Sequence, residues 1–174
     1  MQIPPKTELE DIYKIHRDYL EHEDNLINHR TTWLITIQSF LLATFGFTYQ
    51  KRYEVAAKLY EHSQASLSAL GQVNVEYHIF MAILCVIGVG VSITAFLSIE
   101  SATLAIKGLK KSWSNVANGN NTSHLPELTA GGDSKAESRG FGMPLVLPIA
   151  FGILWILALV YLLAVRFSFS LGYA

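Results

Sequence analysis

Polar and apolar positions along the chain sort into three long uncharged runs separated by segments in which charge returns. Ile79 to Ile99 (IFMAILCVIGVGVSITAFLSI) and Leu145 to Val165 (LVLPIAFGILWILALVYLLAV) contain no Asp, Glu, Lys, Arg or His. Each is as long as the roughly 20 apolar residues that carry a helix across about 30 Å of hydrocarbon. Trp33 to Tyr49 (WLITIQSFLLATFGFTY) is shorter and includes Thr36, Gln38, Ser39 and Thr44, which predicts a span with one polar side. Trp33 and Tyr49 bracket it and Tyr77 precedes the second run, where amphipathic rings meet the headgroup zone. The pattern predicts an all-α integral membrane protein with spans at 32–50, 77–99 and 144–166.

Residues 7–31 read as an amphipathic helix, opened by Thr7 and Glu10 at capping-box spacing behind Pro4 and Pro5. At 100° per residue, Ile12, Ile15, Tyr19, Leu26 and Ile27 form one stripe that continues into Trp33, Leu34 and Ile37. Glu10, Lys14, Asp18, Glu21, Asn25 and Asn28 fall opposite, and nothing breaks the helix before the first span. Glu23 and Arg30 lie a heptad apart near the middle of the apolar stripe, with His16 one heptad before Glu23. Charges on a packed face must be paired or solvated. They therefore bridge to a neighbouring helix, face a water-filled space, or reach solvent by a slight rotation of the helix.

The second span is predicted to run on as helix through SATLAIKGLKKSW to about Asn115. Along it Thr94, Ser98, Ser101 and Ala105 make a seam of small residues, and Gly88 with Ser92 makes a further small pair. Such a seam allows close helix packing or lines a narrow polar pathway. Residues 51–76 read as an external loop or short helix with a weak pattern through Tyr53, Ala57, Tyr60 and Leu67. Residues 118–143, rich in Gly, Asn, Ser and Thr, read as a flexible loop after the helical extension, and 167–174 as a tail.

Lys and Arg counts orient the chain. Lys6, Lys14, Arg17, Arg30, Lys107, Lys110, Lys111, Lys135 and Arg139 outnumber Lys51, Arg52, Lys58 and Arg166 on the other side. That places the N-terminus and the 100–143 segment in the cytoplasm and the C-terminus outside. The opening MQIPPK lacks the apolar run of a cleavable signal, so the N-terminal segment is expected to be retained. On that layout the sequons at Asn120 and Asn121 carry no weight.

Composition changes the picture little but excludes much. Hydrophobic residues make up 51% of 174 and charged residues 16%, well below the quarter or so typical of soluble domains. Thirteen Lys and Arg against 14 Asp and Glu give a net charge of −1, which argues against phosphate neutralisation as a mode of nucleic-acid binding. The single cysteine, Cys85, rules out an internal disulfide framework. Gly88-Val89-Gly90 lacks the third glycine and the strand of a dinucleotide fold, and AGGDSK lacks P-loop spacing. Six histidines bring no HExxH pair, so neither a metal nor another cofactor is expected. Arg17 and His22 resemble the R-x4-H motif of the HEPN ribonucleases, but the pattern is common by chance in helices. The spans contain no paired acids and no serine with a base. The chain is expected not to be an enzyme.

Tyr13-Lys14, Asn28-His29-Arg30, Trp33 and an apolar span with Gln38 resemble the opening of RipA-like octameric bacterial inner-membrane proteins, over residues 12–47. The resemblance implies a bacterial inner-membrane location and a homo-oligomer. The layout is also similar to small anti-phage membrane effectors that act by forming pores. Two functions are therefore expected as alternatives. In a homo-oligomeric pore or channel, Gln38, Thr94, Ser98 and Ser101 line or pack the pathway, and Glu23, Arg30 and Glu100 act as gating or inter-helix charges, with Arg30 paired to Glu100. In a non-conducting scaffold or regulatory subunit, the same polar residues hold helices together while the cytoplasmic segments recruit a soluble partner. The partners expected are thus the bilayer, copies of the chain and such a soluble protein.

Overall fold

The computed structural model describes residues 6–61, 67–118, 125, 128 and 134–171. Three helices account for nearly all of them: α1 (Lys6–Glu61), α2 (Leu67–Asn118) and α3 (Ser134–Leu171). No strand occurs among the described residues. Two stretches, within Val75–Asn118 and Gly142–Val165, are long and apolar enough to cross a membrane. Only 28% and 17% of their most apolar windows are buried within the chain. Core helices of a water-soluble bundle would be mostly covered, so these faces are suited to lipid.

The helices interlock because each repeats a buried position at spacings of three and four, the period that keeps one face of an α-helix against a neighbour. On α1 a covered or half-covered line runs through Leu9, Tyr13, His16, Leu20, Glu23, Ile27, Arg30 and Leu34, with Ile12 and Leu26 half-covered beside it. It overlaps the expected stripe but is turned away from two of its members. Ile15 and Tyr19 are 54% and 59% exposed, and the packed line instead runs through His16, Glu23 and Arg30. His16, Glu23 and Arg30 are half-buried on this line.

By contact the chain divides into two compact units. The first comprises residues 1–33 and 95–147. Its core is Ile27 of α1 with Ile99, Ala102 and Ile106 of α2, flanked by Leu20 and by Leu145 of α3. At one end Trp113 is buried edge-on against Tyr13, their ring centroids 5.3 Å apart. His16 donates from Nδ1 to the Ile12 carbonyl at 2.9 Å, which leaves Nε2 to accept from the Ser112 hydroxyl at 3.4 Å in the neutral ring. The second unit comprises residues 34–94 and 148–174. It centres on Met81 and Cys85 of α2 and Trp155 and Leu162 of α3, with Leu41, Phe45 and Tyr49 of α1 against them.

Three boundaries differ from expectation. α1 is described from Lys6, one residue ahead of the expected start at Thr7. It also continues unbroken to Glu61, so the first part of the segment expected as a loop or short helix is helical and joined to the span. Lys51 and Glu54, one turn apart on that extension, are 2.5 Å apart. The hydrogen bond from Lys51 holds the Glu54 carboxyl below its usual range. α3 starts at Ser134, within the segment read as a loop. Gly140, Gly142 and Pro144 oppose helix there, by about 1 kcal/mol for each glycine and about 3 for the proline, yet the helix is continuous through them into the apolar run that follows. The rest of that loop, residues 119–124, 126–127 and 129–133 with both sequons, lies outside the described residues, as do Pro4, Pro5 and 172–174.

Candidate functional site

Gln38 is the one amide in the first uncharged run, and a side-chain amide in apolar surroundings costs several kcal/mol unless its hydrogen bonds are made. It sits on the packed face of α1 because it continues the three-four repeat from Leu34 towards Leu41. There it is fully buried. Its Nε2 donates to the Gly88 carbonyl at 3.1 Å and to Ser92 Oγ at 2.9 Å, both on α2. Its Oε1 accepts from Trp155 Nε1 of α3 at 2.6 Å. Ser92 in turn donates to the Gly88 carbonyl at 2.8 Å. Every N–H and O–H of the cluster thus meets an acceptor. The amide has one workable orientation, since the indole can only donate and the Gly88 carbonyl only accept.

Shape closes the cluster as firmly as hydrogen bonding. Trp155 is wholly buried, its ring edge-on to Phe45 at 5.7 Å between centroids. The indole lies against the Cα of Gly88 so closely that a Cβ there would overlap its five-membered ring. Gly88 is therefore needed for the absence of a side chain rather than for an unusual backbone angle. Gln38, Gly88, Ser92 and Trp155 together join all three helices of the second unit at one point.

The other expected site residues do not gather there. Thr94 is exposed and its hydroxyl donates to the Gly90 carbonyl of its own helix. Ser101 is also exposed and donates to the Ser98 carbonyl at 2.9 Å, while Ser98 is half-buried. Glu23 is half-buried and Glu100 exposed. Arg30 is half-buried, and its Nη1 donates to the Ser98 carbonyl at 2.6 Å. The expected Arg30 to Glu100 ion pair is not formed among the described residues. Arg30 is instead satisfied by a backbone oxygen, which no charge reversal on another side chain can replace. Arg30→Glu is accordingly expected to destabilise by about 1.5 to 3 kcal/mol. Addition of Glu100→Arg should give no rescue, with the two effects adding in a chemical or SDS unfolding titration.

Two partners of Gln38 escaped the sequence reading. Ser92 enters the sequence pattern only as the small partner of Gly88, and nothing local to Trp155 assigns it a role. The signal that finds them is donor arithmetic: a lone amide in an uncharged run needs partners, and Ser92 and Trp155 are polar residues in the middle of the other two runs. No group of His, Cys, Asp and Glu side chains among the described residues is arranged to hold a metal ion. No protein-family model, curated protein or solved structure matches the chain.

Proposed function

We propose that this protein is a non-conducting membrane scaffold of three spans, in which residues 33–49 of α1 cross the bilayer beside α2 and α3. The Gln38 cluster carries this reading. A pathway through the membrane needs polar groups turned towards it, and the polar side chains best placed to supply one are consumed within the chain itself. Gln38, Ser92 and Trp155 bind one another. The exposed hydroxyls of Ser39, Thr44 and Thr94 are bonded to carbonyls one turn back on their own helices. What remains outward on the second unit is mostly apolar, including Phe40, Phe47, Ile83 and Val86.

In this proposal the N-terminus and the 100–143 segment lie in the cytoplasm of a bacterial cell, and the C-terminus lies outside its inner membrane. The first unit leaves Ile15 and Tyr19 of α1 and Leu104 of α2 exposed, apolar surface for a soluble partner or for copies of the chain in a homo-oligomer. The protein has no catalytic role and needs no cofactor. The deciding experiment is ion flux through purified protein in planar bilayers, with insertion verified by protease protection. Silence is expected from the natural chain. Reproducible conductance that changes with Gln38→Leu would overturn the scaffold and install a pore with α1 at its axis.

A further inference from the structure

The first unit leaves apolar residues exposed on two helices, and the two exposed faces differ in charge. On α1 the face around Ile15 and Tyr19 bears Glu8, Asp11 and Asp18. No exposed Lys or Arg lies within about 60° of Ile15 on the helical wheel, and Lys14 stands at the rim, 4.0 Å from Asp11. On α2 the face around Leu104 bears Lys107 and Lys111 beside Gly108. The heights of these residues are fixed by the contacts within the unit. His16 meets Ser112 and Arg30 meets the Ser98 carbonyl, so the two antiparallel helices are keyed at both ends. Counting inward from those bonds sets Asp18 level with residue 110 and Tyr19 level with residue 109. Asp18 is thus within one residue, about 1.5 Å along the axis, of the height of Lys111, and Tyr19 of that of Gly108. Glu100, the acid of the α2 face, comes level with residue 28, beside His29 and about 15 Å from Asp18.

Copies of a membrane protein insert in one orientation, so a rotation axis that relates them runs along the membrane normal and keeps every residue at its own height. A symmetric pair through α1 would set Asp18 against Asp18, and one through α2 would set Lys111 against Lys111. Like charges placed opposite one another repel. α1 against α2 instead sets Asp18 beside Lys111 and the Tyr19 ring over Gly108, where even an added Cβ would meet nothing within 4 Å. We infer that the two faces are one joint between copies of this chain, α1 of one molecule docking on α2 of the next. Ile15, Tyr19 and Leu104 form its apolar centre, and Asp18 with Lys111 its charged rim. Because the two faces differ, each copy joined on one side still offers the other, and the series ends only by closing into a ring. This joint rests on the membrane placement proposed above and not on the scaffold role, so a conducting protein would leave it standing.

The test coexpresses two full-length variants, Tyr19→Cys and Gly108→Cys, and treats their membranes with a short bis-maleimide. The natural chain, whose Cys85 is buried, is the background control. A crosslinked dimer is expected from the mixture and from neither variant alone. Tyr19→Cys mixed with Leu97→Cys should give none, because their heights differ by about 18 Å. Asp18→Lys should weaken assembly about tenfold, by losing one ion pair and gaining a repulsion. Lys111→Asp in the same chain should restore it, as read by sedimentation velocity in detergent. A crosslinked dimer from Tyr19→Cys alone would mean a symmetric pair and would overturn the inference, as would additive weakening by the two charge reversals. A monomer in membranes where protease protection shows the spans inserted would also overturn it, leaving both faces to a soluble partner. The mixed crosslink in a chain that protease finds uninserted would overturn the membrane placement and keep the joint.

Discussion

Gly88→Ala is expected to destabilise the second unit by about 3 kcal/mol or more, a larger loss than adding a methyl to a packed core usually brings. The new Cβ would overlap the Trp155 indole, which is wholly buried and has no open side to retreat to. If the ring moves, the bond from Trp155 Nε1 to Gln38 goes with it. Steric and polar costs therefore fall together. Two controls lie in the same unit, one on α1 and one on α2. A Cβ at Gly46 or Gly90 meets nothing within 4 Å. Gly46→Ala and Gly90→Ala should be neutral or stabilising by up to about 1 kcal/mol, the gain in helix propensity alone. SDS titration followed by circular dichroism in mixed micelles would separate them. Recovery of part of the loss in Gly88→Ala with Trp155→Leu, which withdraws the ring, would locate the clash. A Gly88→Ala protein as stable as Gly90→Ala would mean the indole does not sit where the structure has it.

Gln38→Ala is expected to cost about 2 to 4 kcal/mol, from three hydrogen bonds each worth about 0.6 to 1.7 kcal/mol between helices in a membrane and from the cavity left behind. Gln38→Leu refills the volume and should cost less. It still leaves the Trp155 N–H without its acceptor, so the remaining loss belongs mainly to that orphaned donor. The pair Gln38→Leu with Trp155→Phe removes both ends of the bond. A double-mutant cycle should therefore show strong coupling, the double variant being more stable than the sum of the singles predicts. Additive losses would show that the contact is incidental. The same unfolding titration reads both series, and far-ultraviolet circular dichroism checks that the helices persist.

The apolar runs at 79–99 and 145–165 were readable because length and absence of charge alone define them, and they lie within α2 and α3. The packed face of α1 was partly readable from apolar residues. Ile12, Leu26, Ile27 and Leu34 of the expected stripe are covered or half-covered, whereas Ile15 and Tyr19 are exposed while Leu9, Tyr13 and Leu20 pack, and only the partner decides which edge of the stripe is used. The deciding contacts are polar: Arg30 reaches the Ser98 carbonyl and His16 reaches Ser112, so residues that looked misplaced on an apolar face mark the face that packs. Periodicity places the stripe, and hydrogen-bond satisfaction sets which edge of it packs. The start of α3 was hidden for another reason. Glycine and proline describe local cost, whereas helix there is carried by the run that follows.

The candidate site was half legible. Gln38 stood out as an amide among aliphatic residues, but the surrounding helices determine what such a group is for. Read alone, it suits a pathway; with Ser92 and Trp155 beside it, it holds a bundle together. The sequence could not rank these uses because the partners lie 54 and 117 positions away.

That spacing also sets a clock on biogenesis. At about 5 to 20 residues per second, Trp155 leaves the ribosome some 6 to 23 seconds after Gln38, given the 117 positions between them. Ser92 arrives roughly midway and takes up one N–H of the amide. For the remainder of that interval the amide oxygen has no indole to serve, and water or a helper protein must supply its donor. A chain ending before Trp155 lacks the indole donor altogether, so its Gln38 oxygen must find another donor for as long as that chain exists.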